Sequence, residues 1–256
     1  MYLNNRPVTD FGFKLSEVTD WVAPPPFEVT PLTLYGRAGA SLIGQTGRTA
    51  TRTFSTKLVS MTGVTLAGRR TNLSALYRAS QGAVAVRFDD DPTKEIYTLM
   101  SSGSTAALAV AMVDGAVSVD LQWLTYDPYW HDVAVSSCQV YGGGNRYAVT
   151  CGSAPHGGVM HITGAGTSPI TLTLRNAAGT ALGTMTLTTT FTSGEYVEID
   201  FDRKRIEKVN DTTRTNLLTT LGATEDFFVF SPEDQPTLSL TNATSAVLYY
   251  RKAWVA

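Results

Sequence analysis

The sequence predicts a mainly β protein made of two β-sandwich domains. Short segments in which apolar and polar residues alternate recur along most of the chain, a period of two that places one face of a strand in a core. The chain has 256 residues, the size at which a single core tends to divide. Near its middle, an aromatic strand stops abruptly. We therefore predict domains at residues 1–138 and 139–256.

The first half contains two segments that break the strand pattern. Residues 36–47 are too rich in glycine for a stable helix and too irregular for a central strand, so they predict an extended arm or a long loop. The best helix candidate runs from Asn72 to Ser80. Thr71 or Asn72 can cap its first turn, and Gly82 lies just beyond its end.

An antiparallel meander follows the predicted helix. Strands are expected at 83–88 and 95–100 on either side of an acidic turn, and at 106–113 before the hairpin signal Asp114-Gly115. The next strand places Leu121, Trp123 and Thr125 on one face. It ends at Asp127-Pro128, because proline has no N–H for the ladder, and Tyr129 and Trp130 follow at once. We assign Asp127, Pro128, Tyr129 and Trp130 to the domain junction.

The second half is again composed of strands. Tyr141–Asn145 contains three consecutive glycines and is the natural linker between the domains. A weak helix candidate covers Thr213–Leu221. The remaining segments alternate as strands of a second sandwich, with outward threonines suited to a pleated surface, at 170–174, 184–188, 196–201, 205–209, 237–240 and 246–251.

Charge is sparse and unevenly distributed. Charged residues make up 16% of the chain and the formal net charge is −2, which gives no overall attraction to nucleic acid or to an anionic membrane. The window from Val29 to Phe88 holds no Asp or Glu but eight cations. These pair with carboxylates elsewhere or line subunit interfaces, where arginine is favoured. A phosphate-binding surface is the alternative, but no interleaved aromatics support it. The candidate subunit or partner contacts are Arg37, Arg48, Arg52, Arg69 and Arg70.

No group of residues forms a recognisable active site. Cys151, His156 and His161 match no standard zinc spacing, and a fourth ligand is missing. Asp89–Asp91 lacks the ligand spacing of a calcium loop, so a solvated turn is the simpler interpretation. Glu198, Asp200 and Asp202 share one face of a strand, where a glycosidase pair is conceivable, but charged, outward positions on a half-buried strand are the simpler explanation. We predict no catalytic residue, no metal and no cofactor.

Two further features bear on where the protein works. Cys138 and Cys151 are the only cysteines; they could pair across a loop, but buried thiols are the simpler expectation. The N-terminus lacks the apolar segment of a signal peptide, and no apolar run approaches the ~18–20 residues that span a bilayer. Synthesis in a cytoplasm, without membrane insertion by this chain, is expected.

Four motifs in a fixed order resemble one known family. They are the strand ending in Asp127-Pro128-Tyr129-Trp130, the segment Gly194–Asp200, the run Phe227–Pro232 with the terminal Tyr249–Trp254, and Tyr35–Gly39 near the start. Together they are similar to the distal tail (Dit) proteins of long-tailed, non-contractile bacteriophages. The resemblance spans nearly the whole chain, and it depends on the order of the motifs more than on any single one.

The resemblance implies a structural hub at the tail tip of a virion. Similar proteins form a ring, usually hexameric, through an N-terminal domain with an extended belt and a short helix, and carry a galectin-like C-terminal sandwich. The implied partners are the same chain, the tail tube protein and the tail-tip or tail-associated lysin protein, with the tape measure and receptor-binding proteins as further candidates. DNA would pass through the channel only in transit. Because galectin-like sandwiches often bind sugars, a carbohydrate-binding module for host glycans is the alternative.

Overall fold

The described part of the chain forms two compact units. The computed structural model describes residues 1–19, 28–33, 40–46, 52–62, 65–101, 118–125, 127, 129–221 and 227–254. Contacts divide them into Met1–His131 and Asp132–Trp254. The sequence placed the division at 138/139. That position lies inside a strand of the second unit, so contacts draw the boundary earlier than the sequence suggested. Both units are rich in strands, as predicted.

Among its described residues the first unit contains one α-helix and ten strands, the last of which extends one residue past the boundary. A short 3₁₀ helix also spans Val8–Phe11. The strands are β1 (Tyr2–Leu3), β2 (Arg6–Pro7), β3 (Phe13–Thr19), β4 (Glu28–Thr33), β5 (Ala40–Thr46), β6 (Arg52–Ser60), β7 (Ala83–Arg87), β8 (Lys94–Met100), β9 (Ser118–Thr125) and β10 (Trp130–Asp132), and the helix is α1 (Leu66–Ala79).

One antiparallel sheet carries the core of the first unit. Its strand order is β2-β1-β7-β8-β9-β6-β3. The pairing of β7 with β8 around the acidic turn agrees with the sequence prediction. The strand predicted at 106–113 and its Asp114-Gly115 hairpin lie outside the described residues.

The aromatic strand β9 has the faces that the sequence predicted. Leu121, Trp123 and Thr125 are buried, whereas Gln122 is exposed. Trp123 stacks on Phe54 of the paired strand β6, with ring centroids 6.4 Å apart. Its indole N–H donates to the Thr56 hydroxyl at 2.9 Å. The buried indole is therefore satisfied, and it ties β6 to β9.

The glycine-rich segment is more regular than predicted. Residues 34–39 and 47 lie outside the described part, but Ala40–Thr46 forms strand β5 and pairs with β4 in a separate two-stranded sheet. A neighbouring strand supplies the hydrogen-bond partners that this glycine-containing segment lacks on its own, which local propensity does not reveal. The register shifts between Thr30 and Pro31, where proline has no N–H to donate.

The helix begins earlier than predicted. It starts at Leu66 rather than Asn72, because Thr65 has an extended backbone and its hydroxyl accepts a hydrogen bond from the Gly68 N–H at 3.2 Å. Thr71, which was expected to cap the helix, lies in its interior, where its hydroxyl donates to the Ala67 carbonyl. Leu76 is fully buried and fixes the inward face of α1. No helix among the described residues is long and apolar enough to cross a membrane.

The second unit is composed almost entirely of strands. Short 3₁₀ helices cover Leu218–Thr220 and Pro232–Asp234. Its strands are β11 (Ser136–Tyr141), β12 (Tyr147–Ala148), β13 (Val159–Arg175), β14 (Ala181–Leu187), β15 (Glu195–Asp200), β16 (Arg205–Asn210), β17 (Thr213–Asn216), β18 (Thr237–Tyr250) and β19 (Ala253–Trp254).

Two long strands organise the second unit as a sandwich. β13 and β18 pair with each other, and their register shifts around Gly166. On one side of the shift they pair with β15 and β11, and on the other with β14 and β12. Each long strand therefore runs through both halves of one continuous eight-stranded sheet. The inward side chains of the two halves meet in a single hydrophobic cluster that includes Met160, Ile199, Leu172, Met185 and Leu240.

Two expectations for the second half are wrong. The triple glycine at 142–144 is not a linker between domains. It joins β11 to β12, both of which pair with β18, and the Gly142 and Gly144 N–H groups donate to carbonyls of β18. The segment Thr213–Leu221 is not a helix, because Thr213–Asn216 pairs with β16 before the short 3₁₀ turn.

Replacement of Thr56 by Val tests the hydrogen bond between β6 and β9. The change keeps the shape and β-branching of the side chain but leaves the Trp123 N–H buried without its acceptor. We expect the free energy of unfolding of the first unit to fall by about 1–3 kcal/mol. Differential scanning calorimetry can resolve the transition of each unit. Thr53→Val, on the same strand but exposed, is the matched control, and an equal effect of both changes would contradict the assignment.

Candidate interaction surfaces

The residues considered for metal binding or nucleophilic chemistry have other partners. The His156 ring stacks on Tyr250 with centroids 4.9 Å apart, and its Nδ1 lies 2.8 Å from the Gly157 carbonyl oxygen. His161 lies near Glu198, with its Nε2 3.3 Å from a carboxylate oxygen. In the part of the chain that the structure describes, no three His, Cys, Asp or Glu side chains are grouped to hold a metal ion.

The two cysteines are free thiols. Cys138 is buried, and burial raises the pKa of its thiol. Burial, with the Asp234 carboxylate as a further cause, raises the pKa of Cys151 to about 11. A thiol at such a pKa is protonated at neutral pH, so neither cysteine is activated as a nucleophile.

The acidic strand β15 is part of an ion-pair network rather than a solvated surface. Glu198 accepts hydrogen bonds from Arg205 at 3.0 Å and from Arg214 at 2.9 Å, and Arg214 also donates to Glu207 at 2.7 Å. Glu198 and Asp200 are 9% and 4% exposed, whereas Asp202 is exposed. Arg205 and Arg214 on the neighbouring strands cover Glu198, and Arg203 in the turn after β15 lies 3.8 Å from Asp200.

The charges around Glu198 determine its protonation. Burial raises the pKa of this carboxyl, but the hydrogen bond and charge of Arg214, with His161 and Arg205, outweigh burial and lower the pKa below its usual range. The hydrogen bonds to Glu207 and Glu198 raise the pKa of Arg214. Glu198 is thus held as an anion between two arginines. This arrangement suits a structural ion pair and is a poor one for a general acid.

Aromatic side chains lie beside this network on the same sheet face. The His161 ring lies 5.0 Å from the Tyr196 ring and 5.4 Å from the Tyr249 ring, centroid to centroid. Tyr249 is 41% exposed. Register places His161 beside Glu198 and the outward side chain of Val247. We call His161, Tyr196, Tyr249, Glu198 and Arg214 the outer-face cluster.

The residues assigned to the domain junction form a local hydrogen-bonded turn. Asp127 accepts a hydrogen bond from the Tyr129 backbone N–H at 3.0 Å, and its other carboxylate oxygen lies 2.7 Å from His131 Nε2. Trp130 is 8% exposed and packs on Phe88, with ring centroids 6.2 Å apart. Pro128 lies outside the described residues. Trp130, the second aromatic after the proline, is therefore a core residue of the first unit.

The structure describes the side chains of only two of the five candidate contact arginines, Arg69 and Arg70. Arg37 and Arg48 lie outside the described residues, and of Arg52 only its backbone position at the start of β6 is described. Arg69 and Arg70 lie next to each other on α1. Arg69 is half-buried, whereas Arg70 is exposed.

Other cations of the same window have local partners. Lys57 lies in register between Glu17 on β3 and Asp120 on β9, so carboxylates from outside the window flank it. The Arg87 guanidinium lies 4.5 Å from the centre of the Tyr2 ring. The position of Lys57 is compatible with pairing to carboxylates, one of the two roles expected for these cations, whereas Arg87 contacts an aromatic ring instead.

Arg70 borders an open groove of about 670 Å³ that two further arginines also line. Arg78 lies two helical turns along α1, and Arg6 lies over the Phe11 ring at 4.7 Å. We call this feature, lined by Arg6, Phe11, Arg70, Thr71, Ser74, Ala75, Arg78 and Ala79, the basic groove. Within the described residues none of its three arginines has an ion pair with a carboxylate. The spacing of positions 70, 74 and 78 on one helix face could have indicated Arg78 from sequence, but nothing local indicated Arg6.

Comparison with known proteins gives structural matches only. No protein-family model and no curated protein sequence matches the chain. The solved structure of the SPP1 Dit (gp 19.1) protein, described as a paradigm of hub adsorption apparatus in Gram-positive infecting phages, matches with a TM-score of 0.76. That match covers 99% of this chain and 98% of that chain at 14% identity.

Two further matches come from the phage P2 baseplate in its activated conformation, one structure with Ca and one with Sr. Both give a TM-score of 0.59 over 96% of this chain and 92% of the other, at 9% and 10% identity. At these identities the likeness shows a shared fold. It confirms, at that level, the resemblance to the Dit proteins that the sequence motifs predicted.

Replacement of Glu198 by Gln tests the ion-pair network. A carboxyl whose pKa is lowered by folding contributes stability that is present above its unfolded pKa of about 4.3 and is lost as the pH falls through the folded value. We expect Glu198→Gln to lower the free energy of unfolding of the second unit by about 1–2 kcal/mol at pH 7. The difference from wild type should shrink as the pH falls below about 4.

Calorimetry between pH 3 and pH 7 measures this difference. Glu233→Gln, at an exposed glutamate of the same unit, is the control and should change stability little at any pH. A wild-type advantage over Glu198→Gln that stays constant down to pH 3 would mean that the charge of Glu198 contributes nothing.

Proposed function

We propose that the protein is the structural hub of a phage tail tip or baseplate. The observation that carries this proposal is the match to the SPP1 Dit protein, which includes nearly the full length of both chains. A match of one unit alone would support only a common β-sandwich, whose fold serves many functions. Agreement over both units, together with the ordered sequence motifs, favours a role for the whole chain in such an assembly.

The proposed mechanism is geometric rather than chemical. Identical subunits close into a hexameric ring through the first unit, and the ring leaves a channel through which DNA passes at ejection. The ring joins the tail tube protein on one side to the tail-tip or tail-associated lysin protein on the other. Tape measure and receptor-binding proteins are further neighbours. The chain is made in the host cytoplasm, works in the virion, and carries out no catalysis.

Several residues acquire roles within this proposal. The candidate contact residues lie at subunit or partner interfaces, where arginine can form bidentate hydrogen bonds with carboxylates. They are Arg37, Arg48, Arg52, Arg69 and Arg70. Asp127, Pro128, Tyr129 and Trp130 mark the passage from the ring-forming domain to a galectin-like outer domain. Support comes from the buried Trp130 and from the hydrogen bonds that Asp127 makes to the residues after it.

The state of association of the purified chain tests the hub proposal. We expect sedimentation velocity to give a particle of about six times the 27.5 kDa of one chain, and negative-stain images to show a ring with a central opening. The tail tube protein is added in a second arm, which supplies a partner surface for assembly. A chain that stays monomeric in both arms would contradict the proposal.

Sugar binding by the second unit is a second candidate function. The outer-face cluster favours it, because Tyr249 presents a partly exposed ring beside planar, charged side chains. Aromatic rings can stack on the apolar face of a sugar, while arginine and glutamate can bind its hydroxyl groups. In the described chain, however, Glu198 and Arg214 already satisfy each other, so a sugar would have to share them.

Calorimetric titration with host wall polysaccharide tests this candidate. If the outer-face cluster binds sugar, Tyr249→Ala should weaken binding by about tenfold, or ~1.4 kcal/mol. Tyr141→Ala is the matched control, since Tyr141 is a more exposed tyrosine that lies on β11 at the sheet edge. Absence of binding by the wild type, or equal loss in both variants, would remove the outer-face cluster as a sugar site.

A further inference from the structure

We propose that the basic groove is a docking site for the acidic turn, Asp89–Asp91, of a neighbouring copy of the same chain. The inference rests on the proposed ring and identifies two surfaces that would meet in it. Each subunit would offer its groove to one neighbour and its turn to the other.

The basic groove lacks compensating charge within its own unit. Arg6, Arg70 and Arg78 line one open space, and none has an ion pair with a carboxylate among the described residues. Arg70 and Arg78 lie eight residues apart on α1, about 12 Å along the helix axis. Three guanidinium groups around one groove repel one another, and a bound anion would relieve that repulsion.

The groove also has room for incoming side chains. Between its arginines lie small residues, among them Ser74, Ala75 and Ala79, and its volume is about 670 Å³. The aromatic ring of Phe11 lies under the Arg6 guanidinium, which limits the directions in which that group can point. A turn that presents two or three short carboxylates fits such a space better than a bulky apolar segment does.

The acidic turn is suited to enter the groove. Asp90 is exposed, and within the described residues it has no cationic partner. Asp89 bonds to the N-terminal amino group yet is 67% exposed. The Asp91 carboxylate accepts a hydrogen bond from the Thr93 backbone N–H and lies 3.3 Å from the Lys94 ammonium nitrogen. These contacts hold the turn in one conformation. The turn therefore presents negative charge on a preformed loop.

The choice of a second copy follows from the distribution of charge. Glu17 and Asp120 lie in register beside Lys57, so these exposed carboxylates have a cation within the sheet. The turn at 89–91 is where three consecutive carboxylates occur, directly after the window of the sequence that has none. A groove and a turn on the same subunit form a head-to-tail contact, and such contacts generate rings when the rotation closes. Nucleic acid is the poorer occupant, because the groove offers no row of aromatics for base stacking.

Mixing two charge-reversed variants of the full chain tests the inference. The groove variant is Arg70→Glu with Arg78→Glu, and the turn variant is Asp89→Lys with Asp90→Lys. Each variant alone places like charges on both sides of the contact. We therefore expect the association of each variant to weaken at least about tenfold relative to wild type. In a mixture, the intact turn of one variant meets the intact groove of the other, and the reversed surfaces also match. Association should therefore recover to within about threefold of wild type.

Controls separate folding from assembly. Arg146→Glu reverses an exposed arginine of the second unit that has no ion pair among the described residues, and this variant should assemble as wild type. Melting temperatures show whether each variant is folded. Asp90→Lys alone, which spares the contact of Asp89 with the N-terminus, replaces the turn variant if the latter unfolds. Raising salt from about 0.1 M to about 1 M should weaken the wild-type ring, because salt screens such contacts.

The outcomes distinguish this inference from the hub proposal. A wild-type ring whose assembly neither charge reversal weakens would overturn the docking of turn in groove and leave the hub proposal intact. Two defective variants that do not recover on mixing would also overturn it, and would indicate that the groove binds a different partner. A wild type that never assembles would defeat the hub proposal, and the inference with it.

Discussion

The pairing of β13 with β18 is the interaction on which the second unit depends. These strands, 17 and 14 residues long, hydrogen-bond to each other along most of their length and run through both halves of the eight-stranded sheet. To do so they must bend together. Gly164 has φ +88° and Asn242 has φ +60°, values that glycine and asparagine tolerate better than other residues. A methyl group at Gly166 would lie 2.3 Å from the Phe191 ring, so packing also fixes glycine at the bend.

This shared pair explains why sequence patterns identified the strands but not their assembly. Alternation at 170–174, 196–201 and 205–209 correctly indicated strands, because an inward face every second residue is a local property. The continuity of β13 across Thr163–Thr171 is not local. It contains glycines, and periodicity alone would end the strand there. The same limit explains the triple glycine, which had the composition of a linker but makes hydrogen bonds to β18.

The candidate surfaces were predictable to different degrees. The absence of acids from Val29 to Phe88 drew attention to the cations of the first unit, and the structure places Arg70 and Arg78 along one helix face. Arg6 joins them only through the 3₁₀ helix that follows it, a long-range arrangement that no spacing records. On β15, alternation placed the acids outward, which is correct, but it could not show that Arg205 and Arg214 would cover them.

The basic groove of the first unit and the ion-pair network of the second differ in how their charges are compensated, and this contrast bears on where assembly takes place. In the second unit Glu198, Glu207, Arg205 and Arg214 satisfy one another, so their electrostatic energy is already realised in a single chain. Such a network stabilises the unit and leaves little to gain from a partner. The basic groove of the first unit is different, because its cations gain carboxylate neighbours only from outside the described residues. Charge left uncompensated on a folded unit favours association. This contrast favours assembly of the proposed ring through the first unit.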